Sequence, residues 1–167
     1  MKRLLAALTL ALLLSLVAAV GAASATHSEG QGPNNDFVNG TAKLVLVPDT
    51  ALQIHVNAKS GPNGEDPQGH FFARQEGFFD VDISGTVTCL NVNGNRAVFG
   101  GVVEQSRLPT VQEGSGVLIE VQDNGEPNEA DRADGFLVPP PPPASCPERV
   151  FTNLTSQGNF VVHDAML

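Results

Sequence analysis

The chain has 167 residues, with 18 Asp and Glu against 9 Lys and Arg and a formal net charge of −9. A surface this acidic repels phosphate backbones and anionic lipid, both of which are held by clustered Lys and Arg, so nucleic acid is excluded as a partner. The length suits one domain with a real core and is short for two.

Met1-Lys-Arg leads directly into an apolar run from Leu4 to Ala22, which ends in Ala23-Ser24-Ala25. A basic start, an apolar stretch and small residues at its end make residues 1–25 a secretory signal peptide, cleaved after Ala25. The run is long enough for an uncleaved anchor, but no stop-transfer charges follow, so no stable membrane insertion is expected after cleavage. No cysteine follows the run for lipid attachment, and Leu108-Pro-Thr-Val111 departs from a wall-sorting signal in both sequence and place. The mature chain is expected to be secreted, extracellular or periplasmic, and the loss of Lys2 and Arg3 makes it more acidic still.

Residues 26–35 are mostly small and polar and read as a disordered lead-in to a single β domain over 36–167. A strand is expected from Asp36 to Val47, closed by the turn chemistry of Pro48-Asp49. From Ala51 to Lys59 the alternation is clean: Leu52, Ile54, Val56 and Ala58 face inward, while Gln53, His55, Asn57 and Lys59 face out. Glycines and prolines make Ser60 to Gly69 a surface loop. In the short strand from Gly69 to Gln75, the adjacent Phe71 and Phe72 must point to opposite faces, so one of them is core.

The centre of the chain is a β-hairpin over Phe78 to Val103, in which two alternating runs flank Asn93-Gly94. Val81, Ile83, Val87 and Cys89 share its core face. The register is open: a two-residue turn at Asn93-Gly94 sets Cys89 against Val98, and a three-residue loop with a bulge sets it against Phe99. Gly100-Gly101 inside the second arm permits the bulge or sharp coil that a closing sheet needs. Ser115 to Asp123 alternates again, with Val117, Ile119 and Val121 against Leu118, Glu120 and Gln122. An acidic loop over 123–134 and a short strand over 135–138 precede Pro139 to Pro143. That pentaproline cannot donate ladder hydrogen bonds and should run extended over the surface. Val150 to Asp164 supplies a last strand or two. Seven or eight strands without helical periodicity predict an all-β fold, a single antiparallel β-barrel or a bent β-sandwich.

Two cysteines in an oxidising compartment, Cys89 and Cys146, are expected to form a disulfide. The competing reading, a metal-binding thiol pair, lacks CxxC spacing.

Three stretches carry a resemblance: Gly85-Thr-Val-Thr-Cys-Leu-Asn-Val-Asn-Gly-Asn-Arg-Ala-Val-Phe-Gly-Gly101, Val121-Gln-Asp-Asn-Gly-Glu-Pro127 and Gly158-Asn-Phe-Val-Val-His163. Their order resembles uncharacterised secreted bacterial β-domain proteins and is distantly similar to the post-COAP domain. The resemblance covers roughly residues 69 to 164 and implies a β fold more than an activity. The two cysteines and the pentaproline have no place in that pattern.

Asp123, Glu126, Glu129, Asp131 and Asp134 crowd oxygen ligands onto a glycine-containing turn, the donor chemistry of Ca²⁺. The spacing is not that of an EF-hand, and a solvated acidic turn is the plainer reading; no other cofactor is expected. His55, His70 and His163 lie on or beside strands without a zinc motif. Ser115 sits in Gly-Ser-Gly, which is not a nucleophile elbow. With neither Trp nor Tyr in the chain, only Phe71, Phe72, Phe78 or Phe79 remains to stack a sugar. The sequons at Asn39 and Asn153 are short enough to arise by chance. These features predict a non-enzymatic structural or binding module for an extracellular ligand or protein. The rival class is a small hydrolase or lyase that gathers His55, Asp80, Asp82 and His163 at a barrel mouth.

Overall fold

A computed structural model describes residues 34–47, 50–75, 82–125 and 129–166. The expected signal peptide, most of the expected lead-in, the Pro48-Asp49 turn, Phe78, Phe79, Asp80, Val81 and Glu126 lie outside the described residues. Eight strands follow one another: β1 (Asp36–Val47), β2 (Thr50–Ser60), β3 (Gln68–Gln75), β4 (Ile83–Asn93), β5 (Arg96–Ser106), β6 (Gly116–Gln122), β7 (Asp131–Val138) and β8 (Ser156–His163). Each pairs antiparallel with the next, and β8 returns to β1, closing the sheet into a barrel. Closure removes the exposed strand edges that an open sheet would present.

The alternation in the sequence becomes the inside and outside of this barrel. Leu52, Ile54, Val56 and Ala58 of β2 are buried, as are Val117, Ile119 and Val121 of β6. Phe71 is the core phenylalanine of its pair, fully inside, while Phe72 lies on the outer face. A barrel of about eight strands has an interior just wide enough for side chains to fill. Here Phe71, Phe99 and Phe160 interleave with Ala42, Ala58, Ala73, Ala97 and Ala133, large against small, and fill it.

The hairpin register differs from both expected alternatives. Asn93 pairs with Arg96, which makes Gly94-Asn95 the turn and sets Cys89 opposite Gly100. Gly94 has φ 61° at the first central position, where a type II′ turn calls for glycine. Two bulges then interrupt β4 against β5, at Ser84/Gly85 and at Val87/Cys89. The second reverses the parity of the strand, so Leu90 joins Ile83 and Val87 in the core, and Cys89 is buried on the outside of the wall instead of facing in. Gly100-Gly101 lies opposite this bulge, and its lack of side chains serves close packing on both faces. A Cβ on Gly100 would stand 2.7 Å from Cys89 Sγ and from Pro143, and one on Gly101 would stand 2.5 Å from the Phe71 ring.

Two further boundaries move. β7 begins at Asp131, four residues before the expected start, so Asp131 and Asp134 belong to a strand and not to a loop. The last stretch forms one strand, β8, and the residues before it run across the outside of the barrel.

Candidate functional site

The segment from Pro139 to Thr155 crosses the outer face of β4 to β7 as a strap. Cys146 is bonded to Cys89 with an S–S distance of 2.07 Å and Cα atoms 5.4 Å apart, a closed pair consistent with an oxidising compartment. Thr88 Oγ1 donates to the Pro143 carbonyl at 2.6 Å, and Asn93 Nδ2 donates to Glu148 Oε1 at 2.7 Å. The most heavily hydrogen-bonded attachment is Glu120, whose position on β6 points outward and would be solvated without the strap. Its side chain is 0% exposed. One oxygen accepts from Arg96 Nη1 at 2.5 Å, and the other accepts the Val150 and Phe151 amides at 2.8 Å each. A buried carboxylate with three donors is satisfied, and its loss would orphan all three. Val98 is buried beneath the same cover. This flank of the barrel is therefore occupied by the chain's own residues.

The acidic residues proposed as calcium ligands have another occupation. β8 pairs with β7 through only three residue pairs, Asp131↔Gly158, Arg132↔Gln157 and Ala133↔Ser156, so later β8 amides that face away from β1 have no strand to donate to. Asp131 Oδ2 accepts the Phe160 amide at 2.6 Å, and Asp123 Oδ2 accepts the Val162 amide at 3.1 Å. Asp134 takes the Thr155 amide and hydroxyl and the Ser156 hydroxyl. At the far end, Asp36 Oδ1 accepts the Ala165 amide at 2.9 Å. These carboxylates staple the closing strand into the barrel. Glu129 is exposed, and among the described residues no three His, Cys, Asp or Glu side chains gather as a metal site. Burial pushes the Asp36 carboxyl above its ordinary range, reinforced by the Asp164 and Glu65 charges and opposed by the Ala165 amide and by His163.

The described groups of the hydrolase reading, His55, Asp82 and His163, lie on the outside, and Asp80 lies outside the described residues. His55 stacks on Phe72 with ring centroids 4.7 Å apart, and His163 stacks on Phe37 at 5.2 Å. Asp82 accepts the Gln75 amide at the start of β4. His70 is exposed on β3, and Ser115 lies in the turn before β6 with its backbone bonded to Gln112 and Val103.

Among the described residues, no strap crosses the flank formed by β8, β1, β2 and β3. A groove of about 330 Å³ crosses it, lined by Thr41, Lys43, Gln53, Gln157 and Asn159 over a floor of Ala42 and Gly158. Amide, hydroxyl and ammonium groups stand around an apolar floor that Ala130 extends, and among the described lining residues no acid and base are assembled. The alternation of β2 marks Gln53 as outward facing, but the neighbours that make it part of a groove come from strands whose register no short-range signal specifies. Compared with known proteins, the chain matches no family model, no curated protein and no solved structure.

Proposed function

We propose that this protein is a secreted, non-enzymatic β domain that serves as a structural or binding module at or outside the cell surface. The observation that carries the reading is the division of the barrel: an interior filled by packed side chains, one flank held under the protein's own strap, and one flank that no strap crosses among the described residues. A filled barrel has no mouth in which to gather scattered catalytic groups, and His55 and His163 lie on its outer wall against phenylalanines. The Cys89–Cys146 bond supports an oxidising destination. The apolar-in, polar-out pattern is the reverse of a membrane-spanning barrel, which turns its apolar band to lipid.

The test is to express the full sequence and examine the product by location, mass and turnover. A chain beginning at Thr26, found outside the cytoplasm with both thiols oxidised and inert toward chromogenic ester, glycoside and peptide substrates, is the expected result. Turnover that His55→Ala abolishes would replace this reading with a hydrolase.

A further inference from the structure

Asparagine followed by glycine occurs four times, at Asn39-Gly40, Asn63-Gly64, Asn93-Gly94 and Asn124-Gly125. In this dipeptide the glycine amide nitrogen can reach the asparagine side-chain carbon, because glycine has no Cβ to hinder the approach or to restrict its backbone. Gly40 lies in β1, which is paired with β2 on one side and β8 on the other. The other three lie outside the strands, each donating its amide to an acceptor: Gly64 to the Gly61 carbonyl at 3.0 Å, Gly125 to Asp123 Oδ1 at 2.9 Å, and Gly94 to Asp164 Oδ2 at 2.8 Å. Gly61 and Asp123 are close neighbours in sequence of the amides they hold. Asp164 comes from beyond β8, a sequence separation of 70, so the Gly94 amide is held only while that segment rests on the hairpin.

Asn93 is also where a change of charge reaches the strap. Its side chain is exposed, and Nδ2 donates to Glu148 Oε1 of the strap at 2.7 Å. Two residues earlier, Asn91 Nδ2 donates to the Cys146 carbonyl. Across the hairpin Asn93 pairs with Arg96, whose guanidinium holds Glu120, the buried carboxylate that fixes the Val150 and Phe151 amides. Asn93 therefore touches the strap directly and, through its cross-strand partner, the residue that anchors it most heavily. Asn63 and Asn124 bond within their own loops, to Glu65 and to the Ala130 carbonyl.

We propose that Asn93 is a site of spontaneous deamidation that unlatches the strap, and that Asp164 sets its rate. The Gly94 nitrogen attacks Asn93 Cγ and a C–N bond forms to close a succinimide ring, while the bond to Nδ2 breaks and ammonia leaves with the proton of the Gly94 amide. Water then opens the ring at either carbonyl, leaving aspartate or isoaspartate. Asp164 opposes the first step in two ways: it keeps the Gly94 N–H engaged, and its charge disfavours the negative charge that grows on the attacking nitrogen. After conversion the side chain at position 93 no longer donates to Glu148, and two carboxylates face each other where a hydrogen bond stood. Isoaspartate also lengthens the backbone in the last pair before the turn, which displaces Arg96 from Glu120.

The experiment ages the oxidised protein at mildly alkaline pH and follows each Asn-Gly site by peptide mapping, with isoaspartate resolved from aspartate. D164A is expected to convert Asn93 about tenfold faster than wild type, the factor that follows when a hydrogen bond to a charged group no longer has to open first, while Asn63 and Asn124 keep their rates. Those two sites are internal clocks for the fold: acceleration at all three would report general loosening and overturn the role of Asp164. An unchanged rate at Asn93 in D164A would overturn it as well. The consequence for the strap is read by trypsin. N93D should be cleaved after Arg149 faster than wild type, and N93D/E148Q at the rate of E148Q alone, because the amide introduced at position 148 donates to the new carboxylate. Cleavage of N93D at the wild-type rate would overturn the unlatching.

Discussion

Replacing Glu120 with alanine tests the strap at its most heavily committed residue. The wild-type side chain is fully buried and receives Arg96 Nη1 at 2.5 Å and the Val150 and Phe151 amides at 2.8 Å each. Removing it leaves two strap amides without acceptors, each costing about 1–3 kcal/mol if it stays buried. Arg96 loses its charge partner too, but its side chain is 24% exposed and water recovers part of that loss. The sum, reduced for relaxation of the strap, is about 3 kcal/mol. For a domain of this size that lowers the melting midpoint by roughly 10 °C. Trypsin supplies a second readout, because Arg149 precedes the two amides that Glu120 holds. We expect thermal unfolding of oxidised E120A to shift by that amount and cleavage after Arg149 to accelerate. A shift below about 2 °C together with unchanged cleavage would refute the reasoning, since the buried carboxylate would then be holding nothing.

Other outcomes follow from the same contacts. Cys146→Ala opens a loop with a sequence separation of 57, and the chain-entropy model puts the loss at about 4 kcal/mol, or roughly 15 °C in melting midpoint; denatured, unreduced wild-type protein should show no titratable thiol. Asp36 has a folded pKa raised by burial, so its contribution to stability is present below its unfolded pKa of about 3.9 and is lost as pH rises through the folded value. Asp36→Asn, which keeps an acceptor for the Ala165 amide, should therefore gain stability relative to wild type between pH 3.5 and pH 7, and a difference that does not change with pH would contradict this. Calcium titrated to millimolar levels into chelator-treated protein should release no heat, because Asp131 and Asp123 would have to surrender the Phe160 and Val162 amides. A saturable isotherm would show that the acidic turn takes metal after all.

The strands were legible because period-two alternation is a local property. β1 is expected and found from Asp36 to Val47, and the sets Leu52, Ile54, Val56, Ala58 and Val117, Ile119, Val121 are inside as their spacing requires. What escaped was set by neighbours distant in the chain. Cys89 shares the parity of Val87 in the sequence, and only the bulge between them, favoured where Gly100-Gly101 leaves room for the disulfide and Phe71, turns it outward. Glu120 occupies a solvent-facing position of an alternating strand, and it becomes buried through a strap that begins some twenty residues later. Asp131 and Asp134 resemble loop acids because the amides they hold, of Phe160 and Thr155, are contributed from beyond the pentaproline. The disulfide was legible because only one pairing of two cysteines exists.

The central claim is that a filled barrel is held under a strap on one flank. The side-chain amides of Asn and Gln report on both flanks in a single proton–nitrogen correlation spectrum, recorded on the oxidised protein and again after reduction of the disulfide. The account predicts that the Asn91 and Asn93 amide resonances, whose groups hold Cys146 and Glu148 of the strap, move on reduction, while those of Gln53 and Gln157 stay in place. Movement of Gln53 and Gln157 with Asn91 and Asn93 unaffected would contradict it.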